Sequence, residues 1–167
     1  ISYGLYEVTG AENDFGPQAG EKLVFADNLA EESFTKAKLQ YKRLSDVTAD
    51  DLAAVTCAHP LRGRGYDFDV PLLNGDHVTD DAGTGFVHTA PAHGEDDFNV
   101  WVESGRTTQE IRQIVDADGC YTDDVAEPLR GLDIIRTSGK KRGQPGKANP
   151  EVIRLLAESG NLLARGV

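Results

Sequence analysis

Gly83-Thr84-Gly85-Phe86-Val87-His88-Thr89-Ala90-Pro91-Ala92-His93-Gly94-Glu95-Asp96-Asp97-Phe98 is the densest stretch of chemically informative residues in the chain. Gly83 and Gly85 permit positive φ or a close approach of the backbone to another group. Pro91 and Gly94 bracket a turn that hands His93 and three carboxylates to a helix start. The helix is expected over 95–104, with Phe98, Trp101 and Val102 on one face. Glu95, Asp96 and Asp97 complement its positive N-terminal end, and Gly105 stops it. With His77, the stretch from Gly75 to Phe98 holds three of the four histidines. Backbone and side chains converging in this way suit a polar small molecule.

Several common chemistries find no support in the sequence. It contains no GxxxxGK[ST], no GxGxxG and no GxSxG, and neither Cys57 nor Cys120 has a histidine at a recognisable local spacing. A metal centre from His77, His88, His93, Asp96 and Asp97 is the main generic alternative. His88 and His93 are five positions apart across a proline, which is not the i, i+4 spacing of a helical HExxH pair. No metal is therefore expected.

Outward from this stretch, residues 1–9 alternate as a strand, 10–20 form a polar loop and 22–26 a short strand. Asp27 or Asn28 is expected to cap a helix running to about Leu39. Residues 40–47 return to strand, and an apolar run covers 53–58. More strands are expected near 66–73, 86–89, 111–115 and 132–136. The last helix has Asn149 as its N-cap and Pro150 as its first residue, with Val152, Ile153, Leu155 and Leu156 on the buried side. Many short strands with irregularly placed helices indicate an α+β fold, a β-barrel core with peripheral helices.

The chain has 167 residues, of which 39% are hydrophobic, enough for a sizeable core in a single domain. It has no apolar run of membrane-spanning length, no secretion signal and no disulfide framework, so a reducing, cytoplasmic location is expected. It begins at Ile1 and lacks methionine, and so reads as a piece excised from a longer protein. The net charge of −11 is unevenly spread. Residues 1–129 carry 9 Lys+Arg against 25 Asp+Glu, and residues 130–167 carry 8 against 3. Lys140, Lys141 and Arg142 lie in the Gly/Pro-containing basic stretch. They are candidate phosphate contacts, because local potential steers a polyanion; a solvated surface loop is the simpler alternative.

Gly83-Thr84-Gly85-Phe86-Val87, Pro91-Ala92-His93 and Asp97-Phe98 together resemble the editing domain of class I aminoacyl-tRNA synthetases for branched aliphatic amino acids. His88-Thr89-Ala90-Pro91 followed by His93-Gly94 is similar to the isoleucyl members. Cys57-Ala58-His59-Pro60-Leu61, Asp69-Val70-Pro71 and Lys147-Ala148-Asn149-Pro150 extend the resemblance over most of the chain. It implies hydrolysis of valine wrongly attached to the tRNA for isoleucine. Asp97 then holds the α-ammonium of the misattached amino acid. His88 serves as a pocket wall and helps order water or ribose. Gly83, Thr84, Gly85, Phe86, Thr89 and His93 line the substrate. Lys140, Lys141 and Arg142 contact the acceptor end of the tRNA.

The same resemblance implies no cofactor for editing; ATP and zinc would belong to the parent enzyme outside this piece. The partners implied are a misacylated tRNA and the rest of the synthetase, with no membrane. The family's threonine-rich strand is absent from the sequence, so the domain is expected to be truncated on its N-terminal side and weakly active or inactive alone. Two other readings stay open: a tRNA- or amino-acid-binding module without turnover, and the equivalent valyl or leucyl editing domain.

Overall fold

A computed structural model describes residues 1–165. Period-two alternation in β1 (Tyr3–Ala11) turns Gly4, Tyr6 and Val8 to the interior. β1 is the middle strand of an antiparallel sheet, between β2 (Lys22–Ala26) and β3 (Leu39–Val47). Helix α1 (Asp27–Ala37) follows β2 without a loop and closes the sheet's inner face with Ala30, Phe34 and Ala37, while Leu29 is buried outside that cluster. The resulting core joins Tyr6, Val8, Phe25, Ala30, Phe34, Ala37 and Leu39. Phe34 stacks on Tyr41 at 4.0 Å and meets Phe25 edge-on at 5.0 Å; burying a ring of this kind stabilises by about 1.5–3 kcal/mol.

Neither Asp27 nor Asn28 caps α1. The cap position is Ala26, and Asp27 is the first helical residue. The Asp27 carboxylate is taken up by tertiary partners instead. It accepts hydrogen bonds from Tyr6 Oη (2.5 Å), Ser2 Oγ (2.8 Å) and Arg43 Nε (2.9 Å). Asn28 donates to Asp80 at 2.6 Å.

The remainder is built from shorter pieces. Thr48 and Asp51 form a capping box on α2 (Ala49–Ala53), which takes up part of the apolar run expected over 53–58. β4 (Thr56–Ala58) pairs antiparallel with β5 (Asp69–Pro71), all that forms of the strand expected over 66–73. α3 (Glu95–Glu103) and α4 (Ala148–Glu158) are the remaining α-helices among the described residues. A second core gathers Leu61, Val125, Leu129 and Leu155, flanked by Tyr66, Ile114, Tyr121, Leu132, Val152 and Leu156.

The mixed α/β composition with antiparallel sheets is as expected, but no closed barrel forms among the described residues. β3 is a sheet edge exposed along most of its length. The strand expected over 86–89 does not form. The strands expected at 111–115 and 132–136 reduce to isolated bridges, Val115 with Tyr121, Cys120 with Asp133 and Ile135 with Pro145. Residues 111–115 form one bridge, and 132–136 divide their two bridges between Cys120 and Pro145, so no continuous ladder builds up.

Two helix details also differ. On α3 only Val100 is buried, and Phe98 and Val102 remain 38% and 43% exposed. On α4 the cap position falls at Lys147, not Asn149. Asp133 supplies the capping acceptors from 14 residues upstream. Its carboxylate accepts from the Lys147 amide and its carbonyl from the Ala148 amide, each at 3.0 Å. Asn149 donates its side-chain amide to the Ile134 carbonyl at 2.9 Å.

Candidate functional site

The glycine loop 83–86 is seated on the junction between β2 and α1. Ser33 Oγ donates to the Gly83 carbonyl at 2.9 Å, the Ala26 amide to the Thr84 carbonyl at 3.0 Å, and Tyr3 Oη to the Gly85 carbonyl at 2.6 Å. The Tyr3 phenol is pushed above its ordinary pKa by burial and then by the charge of Asp80, so it stays a donor. Gly85 is buried with φ +82°, and a Cβ there would lie 2.4 Å from the Cβ of Ala26. A side chain at 85 would therefore lift the loop off the sheet. Phe86 leaves this seat packed on Tyr3, with centroids 5.0 Å apart.

Beyond the seat the chain is open to solvent through His88, while Thr89 is half-buried. The Pro91–Gly94 turn closes with the His93 and Gly94 amides donating to the Ala90 carbonyl at 2.9 and 3.1 Å. Gly94 is the cap position of α3. Asp97 is the third helical residue and turns back across the turn, where Oδ2 accepts from the Ala90 amide at 3.0 Å. The same oxygen would lie 2.7 Å from a Cβ at position 94, so glycine there makes room for the carboxylate. Among the described residues the Ala90 amide is the single hydrogen-bond partner of the Asp97 carboxylate. The half-buried side chain is thus pinned by one oxygen and presents the other.

His93 is exposed. His59, which sequence reasoning did not single out as functional, lies within electrostatic range of His88. His59 stacks in parallel on Tyr66, with centroids 4.4 Å apart and planes at 11°, and its Nδ1 accepts from the Leu61 amide at 3.1 Å. Burial, and then the charge of nearby His88, holds His59 below its ordinary pKa. The signal for His59 lay in the Cys57-Ala58-His59-Pro60-Leu61 fragment, which served only to extend the resemblance.

The motif residues thus fall into two linked groups. Gly83, Thr84, Gly85 and Phe86 form a backbone seat against the first core. His88, Thr89, His93 and Asp97 follow along the strap that leads to α3. Lys140, Lys141 and Arg142 are elsewhere, on a turn closed by Arg136 N to Gln144 O (2.9 Å) and Gly143 N to Arg136 O (2.8 Å). All three are exposed, and no carboxylate pairs with them among the described residues. A recess of about 790 Å³ beside α3 is lined by Asp76, His77, Asp96, Asn99 and Glu103, but not by His88 or Asp97. Its carboxylates make it a poor seat for phosphate. No three metal-ligating side chains converge among the described residues.

No family model matches the chain. It is 52% identical over 177 residues to an isoleucine–tRNA ligase of Agrobacterium fabrum, an alignment covering 99% of this chain and 18% of that protein. The isoleucine–tRNA ligase of Brucella abortus biovar 1 is also 52% identical, over 180 residues, with the same coverage of each. That of Mesorhizobium japonicum is 48% identical over 179 residues, again covering 99% of this chain and 18% of the relative. Similarity at this level over nearly every residue makes the chain part of an aminoacyl-tRNA synthetase. It belongs to the isoleucine–tRNA ligase family, and it spans about 18% of the length of the curated relatives it matches. No helix among the described residues is long and apolar enough to cross a membrane.

Proposed function

We propose that this segment is an editing domain, which hydrolyses valine wrongly esterified to the tRNA for isoleucine. The observation that carries the reading is the placement of Asp97. A carboxylate pinned by the Ala90 amide, with its second oxygen free, suits a substrate ammonium, and charge-assisted pairs of this kind are among the stronger hydrogen bonds. Holding the α-ammonium orients the ester carbonyl towards an attacking water, so Asp97 acts by positioning. Water adds to the carbonyl carbon, the bond to the ribose oxygen breaks, and that oxygen leaves with a proton.

His88 walls the pocket and excludes the larger side chain. Isoleucine and valine differ by one methylene, too little for one binding site to separate well, and isoleucine–tRNA ligases are themselves the standard illustration of this limit. Gly83, Thr84, Gly85 and Phe86 offer backbone to the terminal nucleoside, while Thr89 and His93 border the substrate. Lys140, Lys141 and Arg142 meet the acceptor-end phosphates. The reaction draws on no cofactor in this reading.

The test is hydrolysis of valyl- and isoleucyl-tRNA by the full ligase that contains this segment, with and without Asp97→Ala. Selective loss of the valyl ester, slowed about 100-fold in the variant, is expected for removal of a positioning contact. Unchanged hydrolysis in Asp97→Ala refutes the assigned role. Binding of tRNA with neither ester cleaved converts the reading to a binding module.

A further inference from the structure

Gly94 stands at the cap position of α3 with φ −121° and ψ 136°, extended backbone that any residue adopts. Its conformation therefore gives no reason for glycine. Helix stability gives none either, since serine caps a helix better and threonine about as well. Three residues further on is an acid, Asp97, the spacing from which a capping box is made. The chain builds that arrangement twice elsewhere, with threonine at the cap. Asp51 accepts from the Thr48 amide at 2.9 Å and the Thr48 hydroxyl at 2.7 Å. Glu110 accepts from the Thr107 amide at 2.7 Å and the Thr107 hydroxyl at 3.1 Å. At α3 neither donor is on offer. Glycine has no hydroxyl, and the Gly94 amide is engaged by the Ala90 carbonyl at 3.1 Å. Asp97 instead reaches past the cap to the Ala90 amide, over ground that a Cβ at 94 would occupy, 2.7 Å from Oδ2 and 3.1 Å from Cγ.

We infer that Gly94 is a positioning residue for ester hydrolysis: by withholding a side chain at the cap, it keeps Asp97 out of a capping box and over the Ala90 amide. The inference rests on the editing reading, in which Asp97 holds the α-ammonium of the misattached amino acid. With threonine at 94, the carboxylate would be displaced by the new Cβ and would turn onto the new hydroxyl, as those of Asp51 and Glu110 turn onto Thr48 and Thr107. Stability and function are thereby opposed at one position. The box strengthens the start of a helix. The same hydrogen bonds would draw the carboxylate out of the geometry that orients the ester.

The test compares Gly94→Thr, Gly94→Ala, Asp97→Ala and the Gly94→Thr/Asp97→Ala double variant in the full ligase that contains this segment. Gly94→Thr should slow valyl-tRNA hydrolysis about 10- to 100-fold, as expected for a displaced orienting group, with Tm unchanged or raised. Gly94→Ala, which adds the Cβ without the hydroxyl, should slow it too. The double variant should be no slower than Asp97→Ala, because a residue that acts only through Asp97 has nothing further to lose. Amide exchange at Ala90, followed by NMR on this chain, reads the same geometry without any hydrolysis. It should quicken in Gly94→Thr as much as in Asp97→Ala. Parent-like hydrolysis or parent-like Ala90 exchange in Gly94→Thr overturns the inference. So does a double variant slower than Asp97→Ala, or a Tm that falls in step with the rate, since either marks a general structural role. Parent-like hydrolysis in Asp97→Ala would sink the editing role of Asp97 and this inference with it, whereas a defect confined to Asp97→Ala sinks only the part assigned to Gly94.

Discussion

Replacing Gly85 with alanine tests how the glycine loop is held. Two costs arise at that position. An L-residue at φ +82° carries roughly 1–2 kcal/mol of backbone strain. The new methyl would also lie 2.4 Å from the Ala26 Cβ and 3.2 Å from the Tyr3 ring, and overpacking of this kind costs about 1–3 kcal/mol. The sum, about 2–5 kcal/mol, is a large share of the 5–15 kcal/mol typical of a domain. At roughly 2–4 °C per kcal/mol for a chain of this size, Tm should fall by about 10 °C. Gly83 is the internal control. Its φ is +77°, but an added Cβ would meet nothing within 4 Å, so Gly83→Ala should lose only the strain contribution of about 1–2 kcal/mol. Urea unfolding of the parent and both variants measures the difference. Equal destabilisation by the two substitutions would refute the close seating of the loop on β2.

The Asp27 cluster predicts a pH dependence with a defined sign. Hydrogen bonding from Arg43, and then from Tyr6, holds the Asp27 carboxyl well below its ordinary range. Its stabilisation is present above the unfolded carboxyl pKa of about 4 and is lost as pH falls further. Asp27→Asn should lower stability at neutral pH and flatten that acid limb in urea titrations; an unchanged limb would disprove the linkage. At the alkaline end Tyr6 is raised to about 12, by burial first and then by Asp27, so its contribution disappears as pH climbs from about 10 towards that value. Phenolate absorbance of Tyr6→Phe against the parent isolates the transition. For the basic turn, replacing Lys140, Lys141 and Arg142 with alanine should weaken tRNA binding independently of the attached amino acid. It should also reduce the log–log salt slope by up to about 1 for each phosphate no longer neutralised. An unaltered slope would place the phosphate contacts elsewhere.

The parts legible from sequence were those governed by local rules. Alternation in β1, the Leu29–Phe34–Ala37 side of α1 and the turn–helix boundary at Gly94 all depend on residues within a few positions of one another and form as expected. Leu39, expected at the end of that helix, opens β3 instead. The misassigned features depend on distant partners. Asn149 has the composition of a cap, but Asp133 arrives from another segment and takes that role. Asp27 likewise has the composition of a cap but is drawn to Arg43, 16 residues further along. The barrel expectation assumed that each β-prone run would find a ladder, whereas 111–115 forms a single bridge and 132–136 splits its two bridges between Cys120 and Pro145. At the candidate site, the glycine loop and the Pro91–Gly94 turn could be read from residue type, while Asp97 was singled out through the family resemblance. The stacking of His59 on Tyr66 could not, because a seven-residue separation in an irregular loop carries no periodic signal.

The two hydrophobic cores have a consequence for cooperativity. The motif begins on the elements of the first core, through Ala26, Ser33 and Tyr3, and its His88 lies within electrostatic range of His59, on the loop that Leu61 anchors in the second. Leu163 and Ala164, just beyond α4, return to pack on the first core and stitch the two together. A site assembled across such a seam exists only while both halves are folded at once. Partial opening of either half, at a free energy below that of global unfolding, would dissolve the alignment of His88 with the glycine seat while leaving much of the secondary structure intact.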